Sequence, residues 1–239
     1  MPPSFKSIKI PAVYFRELIL KSLGIPNNLQ PEYNIDESLI SANKVVIIII
    51  DNFGLFETVV YKPETLIKNL ELIALLETNN PYAIPLLSEI IYGAQQQTND
   101  NLLRRVYIDG KNTTFIGRKE DIATFVPPEV KSIECRDDMT AYVQATKVIN
   151  RQDLVFIHFL DFEFLYAQYA RQTPPEKLIQ KLITRTDNWV KILYRQAESN
   201  TLFIIIGNHG RHELPMQYEG KLAEWRKANA PVAILFKKK

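Results

Sequence analysis

Three uninterrupted apolar runs constrain the fold of this chain more than any other feature. They are short, rich in β-branched residues and bounded by polar residues or glycine: VVIIII at 45–50, LVFIHFL at 154–160 and LFIII at 202–206. A weaker run, VAILF, follows at 232–236. A strand that is apolar at every position, rather than at every second one, is typical of a sheet covered on both faces. The runs therefore predict buried, parallel strands.

Helical patterns separate these runs. Residues 63–77 begin with Pro and Glu and then repeat Leu and Ile at three- and four-residue spacing, which predicts one helix. Further helices are predicted at 84–92, at 139–148 and, the longest, at 175–198. Strands that alternate with helices predict an α/β fold with a mainly parallel, doubly wound sheet between helix layers.

The chain shows no stretch typical of a flexible linker, and the sequence predicts one main domain. Residues 1–43 are expected to form an N-terminal helical preface that packs on the core, with a helix around residues 12–23. Residues 44–239 are expected to form the α/β domain itself.

Composition excludes several classes of function. The 239 residues include 29 Lys and Arg and 27 Asp and Glu, so the net charge of +2 argues against a nucleic-acid partner. A single cysteine, Cys135, excludes an internal disulfide and favours a reducing compartment. No apolar run approaches the ~20 residues of a membrane helix, and the N-terminus does not resemble a signal peptide. We therefore expect a cytoplasmic protein without a membrane partner.

Polar residues follow the three strongest apolar runs. Asp51 follows the first run, Asp161 the second, and Asn208 and His209 the third. Because ligands of open α/β sheets bind at the carboxyl ends of the strands, these four side chains are candidates for one divalent metal site. A single Asp after a strand is also a common helix N-cap, so each residue alone is a weak signal.

These segments resemble the alkaline phosphatase superfamily, in particular its nucleotide pyrophosphatase/phosphodiesterase branch. Six segments are similar to the family's motifs and stand in the same order: VVIIIIDNFG (45–54), AIPLLSEIIYG (83–93), NTTFIG (112–117), VFIHFLDFEFL (155–165), TDNWVKIL (186–193) and LFIIIGNHG (202–210). The resemblance implies an alkaline-phosphatase-like core. It also implies a site that in the family holds two metal ions and a Thr or Ser nucleophile.

The chain departs from the family's pattern at the residues that carry its chemistry. Asp51 and His209 match ligands of the family's first metal, but Asn208 replaces an Asp and Ala83 stands where the nucleophile would be. Asp161 matches a ligand of the second metal, whereas the following His is replaced by Leu165. The resemblance thus leaves a metal set of Asp51, Asp161, Asn208 and His209. We expect one weakly bound zinc, manganese or magnesium ion, or none.

The lost residues favour a degenerate phosphatase- or phosphodiesterase-like fold without catalytic activity, acting as a binding or assembly module with a protein partner. Covalent phosphoryl transfer requires a deprotonable side chain, which Ala83 lacks. The alternative is an active metal-dependent hydrolase of phosphate mono- or diesters with rearranged ligands. In that case Thr78 or Ser88 would replace the nucleophile, His158 or Glu163 would replace lost ligands, and Arg211 would pair with phosphate.

Overall fold

In the computed structural model of the chain, the four continuous apolar runs of the sequence all form strands. The structure describes residues 6–27, 35–80, 82–95, 101–169, 174–208 and 230–239. Eight strands are described: β1 (Lys6–Pro11), β2 (Lys44–Ile50), β3 (Leu72–Glu77), β4 (Thr113–Gly117), β5 (Lys131–Glu134), β6 (Leu154–Phe159), β7 (Thr201–Gly207) and β8 (Val232–Lys238).

All eight strands form one sheet in the order β1-β3-β8-β7-β2-β6-β4-β5. Every pairing is parallel except the two made by β8, which runs antiparallel to both β3 and β7. The three strongest runs of the sequence, β7, β2 and β6, are neighbours in the middle of the sheet. The predicted mainly parallel sheet is confirmed.

Helices cover both faces of the sheet. They are α1 (Ala12–Ser22), α2 (Glu37–Ile40), α3 (Leu55–Tyr61), α4 (Glu64–Asn69), α5 (Ala83–Tyr92), α6 (Leu102–Ile108), α7 (Lys119–Phe125), α8 (Asp138–Val148), α9 (Asp161–Gln168) and α10 (Glu176–Gln196). One hydrophobic core joins a face of the sheet to α1, α5 and α6. A second core joins the opposite face to α8, α9 and α10. This is the predicted α/β fold, with the sheet between two helix layers.

The single helix predicted at 63–77 is wrong. The segment forms α4 and then turns at Leu70 and Glu71 into β3, which pairs with β1 and β8. The Leu and Ile spacing fits either structure, and pairing inside the sheet decides in favour of the strand. Tertiary context here overrides the local pattern.

The N-terminal segment is integrated with the sheet. The predicted helix is present as α1, and the preceding β1 adds an edge strand parallel to β3. Three large side chains of α1 are fully buried in the core shared with α5: Phe15, Leu18 and Ile19. Among the described residues, no helix is both long and apolar enough to cross a membrane.

Candidate functional site

Three polar side chains meet at the carboxyl edge of the central strands. Asp51 follows β2, Asn208 follows β7, and His158 lies next to the last residue of β6. Because β2 pairs with both β6 and β7, the three side chains come together, and all three are buried. The predicted convergence of Asp51 and Asn208 is present in the structure. His209 lies outside the described residues, as does Arg211.

A tight turn after β2 locks Asn208 in one orientation. Asn52 adopts a left-handed backbone conformation (φ 52°), which asparagine tolerates better than most residues. Its backbone N–H donates to Asn208 Oδ1 at 2.7 Å. Since a backbone N–H can only donate, the carboxamide oxygen must face Asn52. The Nδ2 group of Asn208 therefore donates to Asp51 Oδ1.

This turn also explains the glycine that ends β7. A Cβ atom on Gly207 would lie 1.5 Å from the backbone oxygen of Phe53. No side chain fits there without moving the backbone. Glycine at this position thus allows the Asp51–Phe53 turn to lie directly against the end of β7.

His158 lies between two carboxylates. Its Nδ1 is 2.9 Å from Asp121 Oδ2. Its Nε2 is 3.3 Å from Asp51 Oδ1, without the alignment of a good hydrogen bond. Burial by itself would lower the pKa of His158, but Asp51 and Asp121 raise it to about 10. At neutral pH the ring is therefore an imidazolium that neutralises part of the charge of the two carboxylates.

Asp121 was not predicted from the sequence. It lies in the first turn of α7, where it also accepts the backbone N–H of Arg118 at 3.4 Å. Burial is the largest influence and would raise the pKa of Asp121, but the hydrogen bond and charge of His158, together with Arg118, hold this pKa below its usual value. In the sequence this residue is indistinguishable from an ordinary acidic residue at a helix start. Only the three-dimensional contact with His158 reveals it.

Asp161 follows the neighbouring strand, but its carboxylate does not join Asp51. It accepts a hydrogen bond from Arg185 of α10 at 2.7 Å. The backbone N–H of Asp161 donates to Asp138, which also accepts the N–H of Leu160. Burial, together with the charge of Asp161, raises the pKa of Asp138 to about 6. The structure thus separates Asp161 from the cluster of Asp51, His158 and Asn208.

Ala83 faces the same cavity as this cluster. The cavity has a volume of about 520 Å³, and residues from five parts of the chain line it: Asp51, Asn52, Tyr82, Ala83, Ile84, Pro85, Asp121, His158, Leu160, Glu163 and Asn208. Ala83 opens α5, as the resemblance implies for the nucleophile position. Thr78 and Ser88, the two considered replacements, are not among these lining residues. Thr78 instead bonds to the backbone of Asn80.

The three predicted ligands that the structure describes, Asp51, Asp161 and Asn208, are each engaged with other protein groups. The side-chain oxygen of Asn208 accepts a hydrogen bond from the backbone N–H of Asn52, and its Nδ2 group donates to Asp51. Asp161 forms a salt bridge with Arg185. Leu165 lines a different depression, between α9 and α10. Over the part of the chain that the structure describes, no group of three His, Cys, Asp or Glu side chains is placed to hold a metal ion.

No protein-family model matches this chain, and no curated protein matches it either. Solved structures do match. The C-terminal periplasmic domain of EptC from Escherichia coli, in complex with zinc, is similar with a TM-score of 0.54 and 13% sequence identity. That match covers 83% of this chain and 74% of the other.

Two further structures are similar over nearly all of the chain. A protein of the alkaline phosphatase superfamily from Vibrio parahaemolyticus matches with a TM-score of 0.52 and 11% identity, over 95% of this chain and 69% of the other. The phosphoglycerol transferase GacH of Streptococcus pyogenes, in complex with sn-glycerol-1-phosphate, matches with a TM-score of 0.52 and 10% identity. This match covers 95% of this chain and 74% of the other. The chain therefore has the fold of the alkaline phosphatase superfamily, as its motifs suggested.

Proposed function

We propose that this chain is a catalytically inactive phosphatase- or phosphodiesterase-like protein that serves as a binding or assembly module. The observation that carries the proposal is the composition of the cavity at the carboxyl edge. A methyl group, that of Ala83, stands at the start of α5, and a buried histidine pairs with the carboxylates of Asp51 and Asp121.

The absence of a nucleophile at Ala83 supports inactivity. A covalent phosphoryl intermediate needs an oxygen or another nucleophilic atom at that position, and alanine has none. The start of α5 still presents backbone N–H groups and a favourable helix dipole to an anion. The site could therefore retain weak anion binding without cleaving an ester.

The cation at this site supports the same proposal. Two-metal hydrolases stabilise the attacking and leaving oxygens with divalent ions. Here the imidazolium of His158 already lies against Asp51 and Asp121, and the amide of Asn208 donates to Asp51. A metal ion entering at Asp51 Oδ1 would have to displace both of these partners. We therefore propose that the site holds one weakly bound divalent ion at most.

One observation favours the alternative of a rearranged hydrolase. A histidine that bonds a carboxylate through one ring nitrogen often binds a metal through the other. His158 has this arrangement, since Nδ1 contacts Asp121 while the buried Nε2 makes no hydrogen bond. In that case a metal ion would be held by Asp51 and His158 rather than by Asn208 or Asp161.

A combined assay of metal content and turnover tests the proposal. We expect less than one equivalent of zinc, manganese or magnesium after dialysis, and no hydrolysis of aryl phosphate mono- or diesters above background. Ala83→Thr alone should not restore turnover, because Asn208 and Leu165 remain. Metal-dependent turnover by the unmodified protein that Asp51→Ala abolishes would refute the proposal and establish the rearranged hydrolase.

We also propose, from the sequence, that the partner is a protein and that the chain acts in the cytoplasm. The low net charge supports the first part of this proposal, because a dedicated nucleic-acid binder is usually far more basic. The single cysteine supports the second. The similar EptC domain is described as periplasmic, so localisation of the tagged full-length protein is the direct test.

A further inference from the structure

Helix α10 has a strongly basic solvent-exposed face, although the whole chain is almost neutral. The helix contains five cationic residues: Lys177, Lys181, Arg185, Lys191 and Arg195. Its two acidic residues are engaged elsewhere. Asp187 is buried and accepts backbone N–H groups of α4, and Glu176 accepts a hydrogen bond from Tyr61. Little negative charge on α10 itself therefore offsets the five cations.

Three of these cations, Lys177, Lys181 and Arg195, are exposed and lack a local counter-ion among the described residues. Lys177 and Lys181 lie four residues apart, on one side of the helix. Within the described ranges, neither lysine makes a salt bridge or a side-chain hydrogen bond. Arg185 continues the row and is half-buried, with its guanidinium 4.3 Å above the ring of Trp189 and a salt bridge to Asp161. In the first half of α10 the exposed charge thus lies at Lys177 and Lys181.

This basic row separates two surface depressions. One, of about 380 Å³, lies between α9 and α10 and has apolar walls from Phe164, Leu178 and Leu182. The other, of about 640 Å³, extends along α10 to Ile192. Lys181 and Arg185 line both of them. Apolar surface beside Lys181 therefore lies at Phe164, Leu178 and Leu182 in the first depression, and at Trp189 and Ile192 in the second, whose other six lining residues are polar or charged.

Exposed apolar side chains continue beyond the second depression. Ile192 of α10 is 38% exposed. On α8, Met139 is 52% exposed and Val143 is 39% exposed. Helix α8 lies against α10 at this point, because the ring of Tyr142 stacks on Trp189 with centroids 5.1 Å apart. Exposed apolar side chains that form a contiguous patch rimmed by polar residues are typical of protein interaction surfaces.

From these features we propose that the α10 face from Lys177 to Ile192 binds an acidic amphipathic helix of a partner protein. At 1.5 Å per residue this face is roughly 22 Å long, about four helical turns. Apolar side chains of the partner would fill the two depressions, and its carboxylates would pair with Lys177 and Lys181. Helix-in-groove binding of this kind uses apolar residues at three- and four-residue spacing.

The shape of the surface favours a peptide over the other anionic partners. A bilayer surface would contact the projecting lysines but would not fill depressions on both sides of them. A nucleic acid would use the cations but not the apolar walls at Phe164, Leu182 and Ile192. An acidic amphipathic helix uses both features, so charge and shape are complementary together. This inference rests on the proposed binding role and adds its location and the chemistry of its partner.

The inference is tested on the full-length protein by selection from a displayed library of random peptides. The peptides are about 16 residues long, which is enough to cover this face as a helix. We expect enriched peptides with Leu, Ile or Phe at helical spacing and Asp or Glu beside them. A synthetic peptide of the enriched sequence is then titrated by fluorescence anisotropy. Lys177→Glu together with Lys181→Glu should weaken its binding about tenfold or more, a loss of about 1.4 kcal/mol.

The matched control changes the same charge elsewhere. Lys119→Glu together with Lys131→Glu, both at exposed positions on the far edge of the sheet, should change affinity by less than about twofold. No enrichment, a basic or neutral consensus, or equal loss in both double variants would overturn the inference. So would binding of phosphatidylserine vesicles or an RNA oligonucleotide that is lost on reversal of Lys177 and Lys181.

The same protein samples are assayed for hydrolysis of an aryl phosphodiester. Turnover in that assay would refute the proposed inactivity, whereas the peptide titration would still report on the α10 surface. The two proposals can therefore fail separately.

Discussion

At the scale of single residues, an asparagine changes the role of Asp51. A carboxylate at position 208 would place a second negative charge beside Asp51, and a metal ion could then compensate the two charges. The carboxamide of Asn208 instead accepts from Asn52 and donates to Asp51. It removes one charge and supplies a donor. The site therefore carries one negative charge fewer than it would with an aspartate at position 208. The single positive charge of the His158 imidazolium then balances a larger share of the negative charge that remains.

We predict that His158 is essential for stability at neutral pH. His158→Leu would leave Asp51 and Asp121 buried without their cation, which typically costs about 3–5 kcal/mol of the free energy of unfolding. Urea denaturation at pH 7 measures this loss. His158→Gln, which keeps hydrogen bonding but not the charge, should lose less. Equal stability of His158→Leu and wild type would contradict the ion-pair description.

The same histidine predicts a pH dependence. Its pKa is raised to about 10 in the folded chain, against 6.5 for an unperturbed histidine. The stabilisation it provides is therefore complete below about pH 6.5 and is lost as the pH rises through about 10. The difference in unfolding free energy between wild type and His158→Gln should shrink over that interval. A constant difference would show that the histidine is neutral.

Sequence reasoning found part of this residue-level picture. Asp51 and Asn208 were predicted because they follow apolar strands, and Ala83 because a family motif covers it. His158 was considered only as a replacement ligand, since a histidine inside an apolar run has no distinguishing pattern. Asp121 was missed because its partner is 37 positions away, on another element.

At the scale of elements, α10 supplies the cap that α4 lacks. Pro63 precedes α4 and offers no side-chain hydrogen bond. Asp187 of α10, which is buried, accepts the backbone N–H groups of Thr65 at 2.9 Å and Leu66 at 3.1 Å. The first turn of a short helix is therefore satisfied by a carboxylate far away in sequence.

We predict that Asp187→Ala destabilises the protein by about 2 kcal/mol, because two backbone donors lose a charged acceptor. Amide hydrogen exchange at Thr65 and Leu66 should accelerate more than exchange in β7. Asn188→Ala, at the exposed neighbouring position, is the control and should leave both quantities unchanged. Equal protection of α4 in the two variants would show that the cap is unimportant.

The strands that sequence reasoning missed share a physical cause. β3 was taken as the end of a helix, because Leu and Ile recur at a spacing that both structures accept. β1 was not predicted, since its residues alternate polar and apolar character weakly and it lies at an edge. β5 is short and largely exposed, so no apolar run marks it. In each case hydrogen bonding to neighbouring strands decides the structure.

At the scale of the whole molecule, the segment before β2 contributes to the main core. We predicted that residues 1–43 form a preface because this segment contains no motif of a catalytic or binding site. The absence of such a motif does not indicate how deeply the segment is buried. Phe15, Leu18 and Ile19 are fully buried against the sheet and α5. Burial of each such side chain contributes about 1.5–3 kcal/mol.

We therefore predict that a chain beginning at residue 44 does not fold cooperatively. The lost burial approaches the total stability of an ordinary domain, about 5–15 kcal/mol. Thermal unfolding followed by circular dichroism should show no sharp transition, and a hydrophobic dye should bind. Phe15→Ala in the full-length protein should be milder and still cooperative. A cooperative transition of the shortened chain near that of the intact protein would refute this prediction.

The position of β8 bears on how the chain folds during synthesis. β8 follows the seven other strands in sequence, yet it lies between β3 and β7 and is the connection between the β1–β3 pair and the other five strands. Until residues 232–238 have left the ribosome, the β1–β3 pair cannot join the other five strands. During that time the edges of β3 and β7 expose unpaired backbone groups. Such edges are prone to pair with other chains. Nascent molecules should thus depend on chaperones until β8 inserts, a vulnerability that the finished protein does not show.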